Sequence, residues 1–324
     1  NVQSGLKTGF EKYHFIHRAL PELDFLKIEL VQRFFNKTVN LPIMISSMIG
    51  GTPEAARINK MLAQTAQEFG LAMGLGSQRI SLEDQESGVY FDVRKDAPDI
   101  LLFANIGAVQ LNYGLGIDDC KKIVDMVAAD GLILHLNPLQ EVIQPEGNTN
   151  FSNLLSKIGT LCKKMEVPVI VKEVGWGISA VLGKRLIDVG VAGIDIAGAG
   201  GTSWSQVERF RLSSPSQIEV AEAFIDWGIP TADGLLKLRE NLPNALLIAS
   251  GGIKTGMDTA KALALGANMV GLAGEFLRAA NHSQEALVEK IYVIEKIIRI
   301  SMFATGSSNL ASFSRHKIKK SYER

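Results

Sequence analysis

The chain has 324 residues, with 34 Lys and Arg residues against 34 Asp and Glu residues, so its formal net charge at pH 7 is zero. This balance excludes proteins that bind nucleic acid or anionic membranes through a polycationic surface. Hydrophobic residues make up 46% of the chain and charged residues 21%, a composition that supplies a large core and excludes global disorder.

Cysteine content and targeting patterns bear on the cellular compartment. Cys120 and Cys162 are too few for a disulfide framework and lack metal-ligand spacing, which favours a reducing compartment. The longest uncharged run, 100–117, is interrupted by glycines and amides that a membrane span would not favour. With no signal-peptide pattern, we predict a cytoplasmic protein without nucleic-acid or membrane partners. Because the chain begins at Asn1 rather than at methionine, we expect further residues to precede it.

Short apolar runs rich in β-branched residues recur along the chain, separated by longer segments with helical spacing. This alternation is typical of proteins in which strands and helices follow one another. The eight predicted strands are 41–48, 71–75, 100–107, 132–137, 167–175, 191–198, 245–250 and 269–274.

Amphipathic segments fill the gaps between these strands. The first, Pro53–Phe69, begins with proline and is followed by Gly70, which are typical start and stop signals of a helix. Eight alternating strands and helices predict an α/β protein with a (β/α)8 TIM barrel, although a doubly wound open sheet fits the same alternation. The other predicted helices are 118–129, 151–165, 179–189, 217–226 and 258–265.

Polar and glycine-rich residues cluster directly after the predicted strands. In a closed parallel barrel these loops converge on the C-terminal end, where active sites lie, whereas an open sheet would scatter them. The clustering therefore favours the barrel. We expect one domain made of an N-terminal extension (1–40), the barrel (41–280) and a C-terminal helical tail (281–324), with fraying over 315–324.

Two glycine-rich loops predict a site for a phosphate-bearing cofactor. IASGGIKTG (248–256) leads from the seventh strand into Gly251 and Gly252, and GAGGTSW (198–204) follows the sixth strand. Backbone N–H groups of such loops can bind phosphate. Lys172, at the end of the fifth strand, is placed to stabilise negative charge. Simple tight turns for the glycines and a structural ion pair for Lys172 are the alternatives.

The segment LHLNPLQEVIQPEG (134–147) concentrates histidine, amide and carboxylate side chains directly after the fourth strand. Its carboxylates, Glu141 and Glu146, are hard oxygen ligands separated by neutral amides. This pattern suits magnesium that remains partly bound to substrate phosphate and water. An ordered polar loop is the alternative, and His135 fits equally well as a hydrogen-bonded barrel residue.

Two further loops carry candidate ligand contacts. GLGSQR (74–79) follows the second strand, and its Arg79 offers paired N–H donors to a diphosphate. Asn105, after the third strand, can hydrogen-bond the edge of a heterocycle or stabilise a turn. Both loops therefore extend the predicted site around the barrel end.

Eight segments occur in one order: ISSMIGGT (45–52), GLGSQR (74–79), FANIGAVQLN (103–112), LHLNPLQE with QPEG (134–147), KEVGWGIS (172–179), DIAGAGGTSW (195–204), DWGIPTA (226–232) and ASGGIKTG (249–256). In this combination the sequence resembles the flavin-dependent type 2 isopentenyl-diphosphate isomerases, from about Phe10 to about Gly306. The resemblance implies an isomerase of isoprenoid biosynthesis that interconverts isopentenyl and dimethylallyl diphosphate. It implies a barrel that binds FMN, a requirement for magnesium, and assembly as a homotetramer or homo-octamer.

The resemblance also implies the residues of the site. The FMN contacts it implies are Ser47, Met48, Ile49, Gly50, Ser77, Asn105, Lys172, Thr202, Gly251, Gly252, Ile253, Ala273 and Gly274. The substrate contacts are Ser77, Gln78, Arg79, His135, Asn137 and Gln140, and the magnesium-associated carboxylate is Glu141. The catalytic residues are Gln140, Lys172 and His135.

Two features depart from the family pattern. Ile49 stands where the family usually has a threonine, which removes a hydroxyl near the flavin. The family's N-terminal Arg-Lys-x-x-His segment is also not found in residues 1–324, and Lys7 and Lys12 do not reproduce it. Either it belongs to residues that precede Asn1 or the protein lacks it. Both departures bear on turnover, so a flavin-binding protein without catalytic activity is one alternative function.

The implied reaction moves a double bond with no net redox change. The resemblance implies that reduced FMN acts as acid and base, with NAD(P)H as the reductant that keeps it reduced. Lys172 would stabilise the reduced ring, Gln140 would orient the alkene, and Glu141 with magnesium would neutralise the diphosphate. An FMN-dependent barrel oxidoreductase is the second alternative, but the expected late His-Arg pair or loop cysteine is not recognisable.

Overall fold

The computed structural model describes residues 2–321, apart from the side chain of Gln85. Twelve strands lie in this part of the chain, and most are short and buried. They are β1 (Tyr13–Phe15), β2 (Gln32–Phe34), β3 (Lys37–Val39), β4 (Ile43–Ile45), β5 (Ala72–Gly74), β6 (Leu102–Gly107), β7 (Gly131–Leu136), β8 (Val169–Glu173), β9 (Gly193–Asp195), β10 (Leu246–Ala249), β11 (Met269–Leu272) and β12 (Ile318–Lys320).

Strands β4 to β11 form a closed barrel in which each strand pairs in parallel with the next along the chain. The barrel closes where β11 pairs with β4, with Val270 opposite Ile43. Most side chains of these strands are buried, as expected for a parallel sheet that is covered on both faces. The predicted TIM barrel is confirmed, and the open doubly wound sheet is excluded.

The helices of the described residues lie mostly between consecutive barrel strands. They are α1 (Pro53–Phe69), α2 (Arg79–Glu83), α3 (Ile117–Met126), α4 (Pro138–Ile143), α5 (Leu154–Lys164), α6 (Ala180–Asp188), α7 (Trp204–Arg209), α8 (Pro215–Glu222), α9 (Thr231–Asn241), α10 (Gly256–Ala264), α11 (Gly274–His282) and α12 (Gln284–Ala304).

Helix α1 has the bounds that its end signals predict. Thr52 caps the helix, because its side chain accepts a hydrogen bond from the backbone N–H of Ala55 at 3.2 Å. Pro53 occupies the first turn, where no intrahelical N–H is needed. Gly70 ends the helix in the left-handed conformation, with φ of 63°. The local sequence therefore fixes both ends of this helix.

Other predicted bounds need correction. The predicted strands 41–48 and 191–198 are longer than the observed β4 and β9, because their last residues form loops at the C-terminal end of the barrel. The predicted helix 217–226 is α8, which begins at Pro215 in the position that proline favours. Helices α2, α4, α7, α9 and α11 were not predicted at all.

The hairpin of β2 and β3 closes the N-terminal end of the barrel. Phe34 and Val39 are buried in one apolar cluster with Phe103 and Ile133 from the barrel strands. A second and larger cluster fills the layer between the strands and the helices. With apolar side chains packed into one end, the barrel interior meets solvent at the other, where the strands end.

The two ends of the described chain pack against each other. Strand β1 pairs antiparallel with β12, with His14 opposite Lys319. The expected fraying of 315–324 is therefore wrong for residues up to 321, and residues 322–324 lie outside the described part. None of the helices of residues 2–321 is both long and apolar enough to cross a membrane.

Candidate active site

A cavity of about 680 Å³ lies at the C-terminal end of the barrel. Loops after all eight barrel strands contribute to its wall, as the clustering of polar residues in the sequence predicts. The wall contains these predicted site residues: Ser47, Met48, Ile49, Ser77, Arg79, Asn105, His135, Asn137, Gln140, Glu141, Lys172, Thr202, Gly251, Gly252, Ile253, Ala273 and Gly274.

Two predicted site residues do not lie in the cavity wall. Gly50 packs against a ring: a Cβ added there would lie 2.0 Å from Cε1 of Phe91. Gln78 is fully buried, and its side chain donates to the carbonyl of Ile123 and accepts from the backbone N–H of Asn105 at 3.1 Å. The side chain of Gln78 therefore supports Asn105 from behind and does not line the cavity.

The loops after β10 and β11 form a site suited to a phosphate group. Gly251 and Gly252 have φ of 100° and 69°, a conformation that turns successive N–H groups to one side. Gly274 begins α11, whose N-terminus adds unpaired N–H groups and a favourable dipole. Side chains would block this region, since a Cβ on Gly201 would lie 2.6 Å from the backbone nitrogen of Gly252.

The N-terminal residues cover these glycine loops, which the sequence did not reveal. Ser4 donates from its backbone to the carbonyl of Gly201 at 2.7 Å, and Ser203 donates to the carbonyl of Val2 at 2.8 Å. Gln3 lies in the cavity wall, where Lys254 donates to its side-chain oxygen at 3.2 Å. This cover brings an additional amide and an additional ammonium group to the cavity.

Lys172 is an almost fully buried cation in the cavity wall. Its Nζ donates to the carbonyl of Glu173 at 2.8 Å and lies 3.7 Å from Oδ2 of Asp195. Asp195 is completely buried, and its Oδ1 accepts a hydrogen bond from Ser250 at 2.5 Å. The ion-pair partner of the lysine is therefore Asp195, a residue that the sequence did not single out.

Two serine hydroxyls in the same wall have no hydrogen-bond partner within residues 2–321. They belong to Ser46 and Ser47, which follow β4. Buried hydroxyl groups normally have a partner, because an unpaired one costs about 1–3 kcal/mol. Both hydroxyls are thus available to a polar ligand at the side of the barrel that also carries the glycine loops.

His135 is held as a neutral ring. Its Nδ1 lies 2.9 Å from Oδ1 of Asn105, and the amide nitrogen of Asn105 donates to the carbonyl of Leu75. The oxygen of Asn105 is therefore an acceptor, so Nδ1 of His135 carries the proton and Nε2 is left as an acceptor. Burial, assisted by the positive charge of Lys172, lowers the pKa of His135 to about 4.

Glu141 is a buried carboxylate surrounded by neutral donors. It accepts from Asn137 at 2.8 Å, from Gln144 at 2.7 Å and from the backbone N–H of Asn148 at 2.6 Å. These neutral contacts orient the carboxylate without cancelling its charge, which suits a divalent cation. No cluster of three or more metal-ligating side chains exists within the described residues, so a metal at Glu141 would need further oxygens from substrate and water.

The structure adds a buried glutamate that sequence reasoning missed. Glu208, on α7, accepts from Nε2 of Gln140 at 2.9 Å and from Arg211 at 2.8 Å. The oxygen of Gln140 accepts from Asn137 at 3.2 Å, so both ends of this predicted catalytic amide are oriented. Arg211 itself lies in the cavity wall. Only the position of Glu208 shortly after the GAGGTSW loop could have drawn attention to it.

Comparisons with known proteins agree with this geometry. The model of the FMN-dependent dehydrogenase family matches residues 136–320. A mandelate oxidase mutant with an FMN adduct is 17% identical with a TM-score of 0.70, covering 99% of this chain and 94% of that one. An (S)-mandelate dehydrogenase mutant is 15% identical with a TM-score of 0.72, covering 99% and 93%. At these identities the likeness shows the fold alone.

Curated relatives are much more similar in sequence. The isopentenyl-diphosphate delta-isomerase of Rickettsia canadensis is 52% identical over 319 residues, which cover 98% of this chain and 93% of that protein. The enzyme of the same name from Rickettsia bellii is 49% identical over 322 residues, covering 99% and 94%. The chain therefore carries a domain of the FMN-dependent dehydrogenase type and belongs to the isopentenyl-diphosphate delta-isomerase family.

Proposed function

We propose that this chain interconverts isopentenyl diphosphate and dimethylallyl diphosphate, using reduced FMN and magnesium. The observation that carries the proposal is the arrangement of one cavity. In the closed strand order, β10 and β11 lie across the barrel from β6 and β7. A phosphate-binding glycine site and an oriented carboxylate therefore face each other over the same space, with Lys172 between them on β8.

The residues present fit FMN. The glycine loops leave room for a phosphate that side chains would fill, and Gly251, Gly252 and Gly274 would hold it. The unpaired hydroxyls of Ser46 and Ser47 would contact the rest of the cofactor. When bound and reduced, FMN supplies a group that can give and take a proton next to the alkene.

The substrate diphosphate would bind on the side of Ser77 and Arg79. Arg79 is about half exposed in the cavity wall, and its guanidinium can meet two phosphate oxygens. Magnesium held at Glu141 would neutralise further charge on the diphosphate and fix its position. His135, being neutral and bonded to Asn105 through Nδ1–H, would accept one hydrogen bond at Nε2 here rather than supply a positive charge.

The alkene end would lie near Gln140 and Glu208. Because both ends of the Gln140 amide are bonded, its donors and acceptor keep one orientation relative to the cavity. Met48, Ile49 and Trp204 add apolar surface to the wall, which limits water around a carbon centre that must gain and lose protons. In this arrangement Ile49 contributes apolar surface where the family usually has a threonine.

Three further parts of the proposal concern conditions rather than the site. We propose NAD(P)H as the reductant that keeps the cofactor reduced, since the reaction itself consumes no electrons. We also propose a cytoplasmic location and assembly into a homotetramer or homo-octamer, in line with the resemblance. Size-exclusion chromatography with light scattering tests the assembly directly.

The decisive experiment measures product formation by the purified chain with isopentenyl diphosphate, FMN and magnesium. One sample is reduced with NADPH without oxygen, and a matched sample keeps the flavin oxidised. We expect dimethylallyl diphosphate only in the reduced sample. Flavin binding without product would contradict the proposal, and oxidation of a 2-hydroxy acid such as mandelate or lactate would then support the oxidoreductase.

A further inference from the structure

A buried ion pair lies directly beneath the cavity wall. Lys172 contributes to the wall, whereas Asp195 does not reach it and is completely buried. Oδ2 of Asp195 has no hydrogen-bond partner within residues 2–321, and Nζ of Lys172 lies 3.7 Å from it. This distance is too long for a hydrogen bond but well within the range of a strong charge interaction.

Stability alone does not account for this pair. A buried ion pair is often no more stabilising than apolar side chains of similar volume, because both charges lose their hydration. The cost shows in Asp195, since burial raises its pKa while the positive charge of Lys172 opposes the rise. A carboxylate kept at such a place, with one oxygen 3.7 Å from Nζ of the lysine, acts on the charge and position of that lysine.

The second acid beside Lys172 has a different role. The Oε2 atom of Glu173 accepts hydrogen bonds of 2.6–2.7 Å from the backbone N–H groups of Val174, Gly175 and Trp176. This oxygen is therefore held by the loop after β8. The ion pair of the ammonium group is with Asp195, whereas Lys172 acts on Glu173 by partly opposing the rise of its pKa that burial causes. Asp195 is the acid whose free oxygen faces Nζ, while Ser250 holds its other oxygen in place.

We propose that Asp195 is a positioning residue for the cofactor site: it holds the ammonium group of Lys172 back from the cavity and thereby limits how strongly this charge stabilises reduced FMN. The inference rests on the proposed binding of FMN, but not on the isomerase reaction. Without Asp195, the ammonium group keeps its hydrogen bond to the carbonyl of Glu173 but is no longer drawn away from the cavity by a negative charge, so it acts more strongly on the reduced cofactor.

The test is the midpoint potential of bound FMN in the Asp195→Asn variant. Asparagine keeps the shape of the side chain and the hydrogen bond from Ser250 but removes the charge. We expect the ratio of reduced to oxidised FMN at a fixed potential to rise about tenfold, which is about 30 mV for a two-electron couple. The dissociation constant of oxidised FMN stays unchanged, because the glycine loops are untouched.

A double-mutant cycle shows whether Asp195 acts through the lysine. Because removing the lysine also favours protonation of the buried Asp195, the cycle is measured up to about pH 9, into the range in which this carboxyl group is ionised. In the Lys172→Met background the Asp195→Asn shift is absent throughout, since no ammonium group is left to move. An equal shift in both backgrounds would mean that the carboxylate acts on the cofactor directly, and no shift in the wild-type background would mean that it does nothing. Either result overturns the inference.

The matched control removes a carboxylate at the opposite end of the barrel. Asp130 pairs with Arg94 at 2.7 Å before β7, so Asp130→Asn leaves the potential unchanged. If Asp195→Asn does not fold, the smaller neutral Asp195→Ser carries the same expectation. The potential is measured without diphosphate, so a failed isomerase assay and a failed inference give separate results.

Discussion

The orientation of Gln140 by Glu208 gives the most direct test of the proposed reaction. Replacing Glu208 with glutamine keeps its size but removes the charge that accepts hydrogen bonds at 2.9 Å from Gln140 and at 2.8 Å from Arg211. Hydrogen bonds to charged groups contribute about 1.5–3 kcal/mol. The glutamine oxygen can still accept from Gln140, so the variant replaces a charge-assisted bond with a neutral one, which costs about 1–1.5 kcal/mol. If this bond fixes Gln140 in the transition state, kcat falls by roughly fivefold to tenfold.

The assay is steady-state conversion of isopentenyl diphosphate with reduced FMN, with kcat and KM determined separately. We expect KM to change little, because Ser77 and Arg79 at the diphosphate end are not touched. Glu222→Gln is the matched control, since Glu222 also pairs with an arginine at 2.6 Å but is exposed and does not contact Gln140. A Glu208→Gln enzyme with kcat within about twofold of the wild type would refute the reasoning.

Three other predictions follow from the same cavity. Gly251→Ala places a Cβ 2.1 Å from the carbonyl oxygen of Gly198 and weakens FMN binding by roughly tenfold or more in a fluorescence titration. Gly114→Ala, with similar φ but open space around it, leaves FMN affinity unchanged; equal losses in the two variants would contradict the phosphate site. Glu141→Gln raises the magnesium concentration for half-maximal turnover by roughly tenfold or more, and an unchanged magnesium dependence would place the metal elsewhere. The pKa of His135 is about 4 in the folded protein, against an ordinary value of 6.5. As the pH falls, the unfolded chain therefore takes up the proton first. The free energy of unfolding that this group contributes is lost between about pH 6.5 and about pH 4. The urea concentration at the midpoint of unfolding is measured at pH 7 and at pH 5 for each protein. We expect the change between the two pH values to be smaller for His135→Gln than for the wild type. An equal change in both proteins would contradict the low pKa.

The barrel could be predicted because its signals are local. Strands that are buried on both faces appear as continuous apolar runs, and eight of them in alternation with helices leave few arrangements. Helix α1 carries its own cap at Thr52 and its own stop at Gly70. The pairing of β1 with β12 joins residues 13–15 to residues 318–320, and no local pattern can indicate such a contact.

The sequence predicts site residues that follow a barrel strand directly, but not residues that act by orienting another side chain. Two neighbouring residues of GLGSQR occupy different environments. Arg79 lines the cavity, whereas the side chain of Gln78 is buried and accepts a hydrogen bond from the backbone of Asn105. Sequence order cannot distinguish them, because a single step along a loop changes the direction of the side chain. Glu208 and Asp195 were missed for a related reason, since each acts on a residue that is distant in sequence.

The state of His135 bears on the choice between the proposed isomerase and an oxidoreductase on the same fold. Removing a proton from a hydroxyl group in catalysis calls for a base whose pKa is near the working pH. His135 is the histidine in the described cavity wall, and burial with the charge of Lys172 lowers its pKa to about 4. It is therefore a weak base held by Asn105. A redox-neutral proton transfer that uses the bound cofactor needs no such base, so the cavity fits the isomerase better although the barrel is shared.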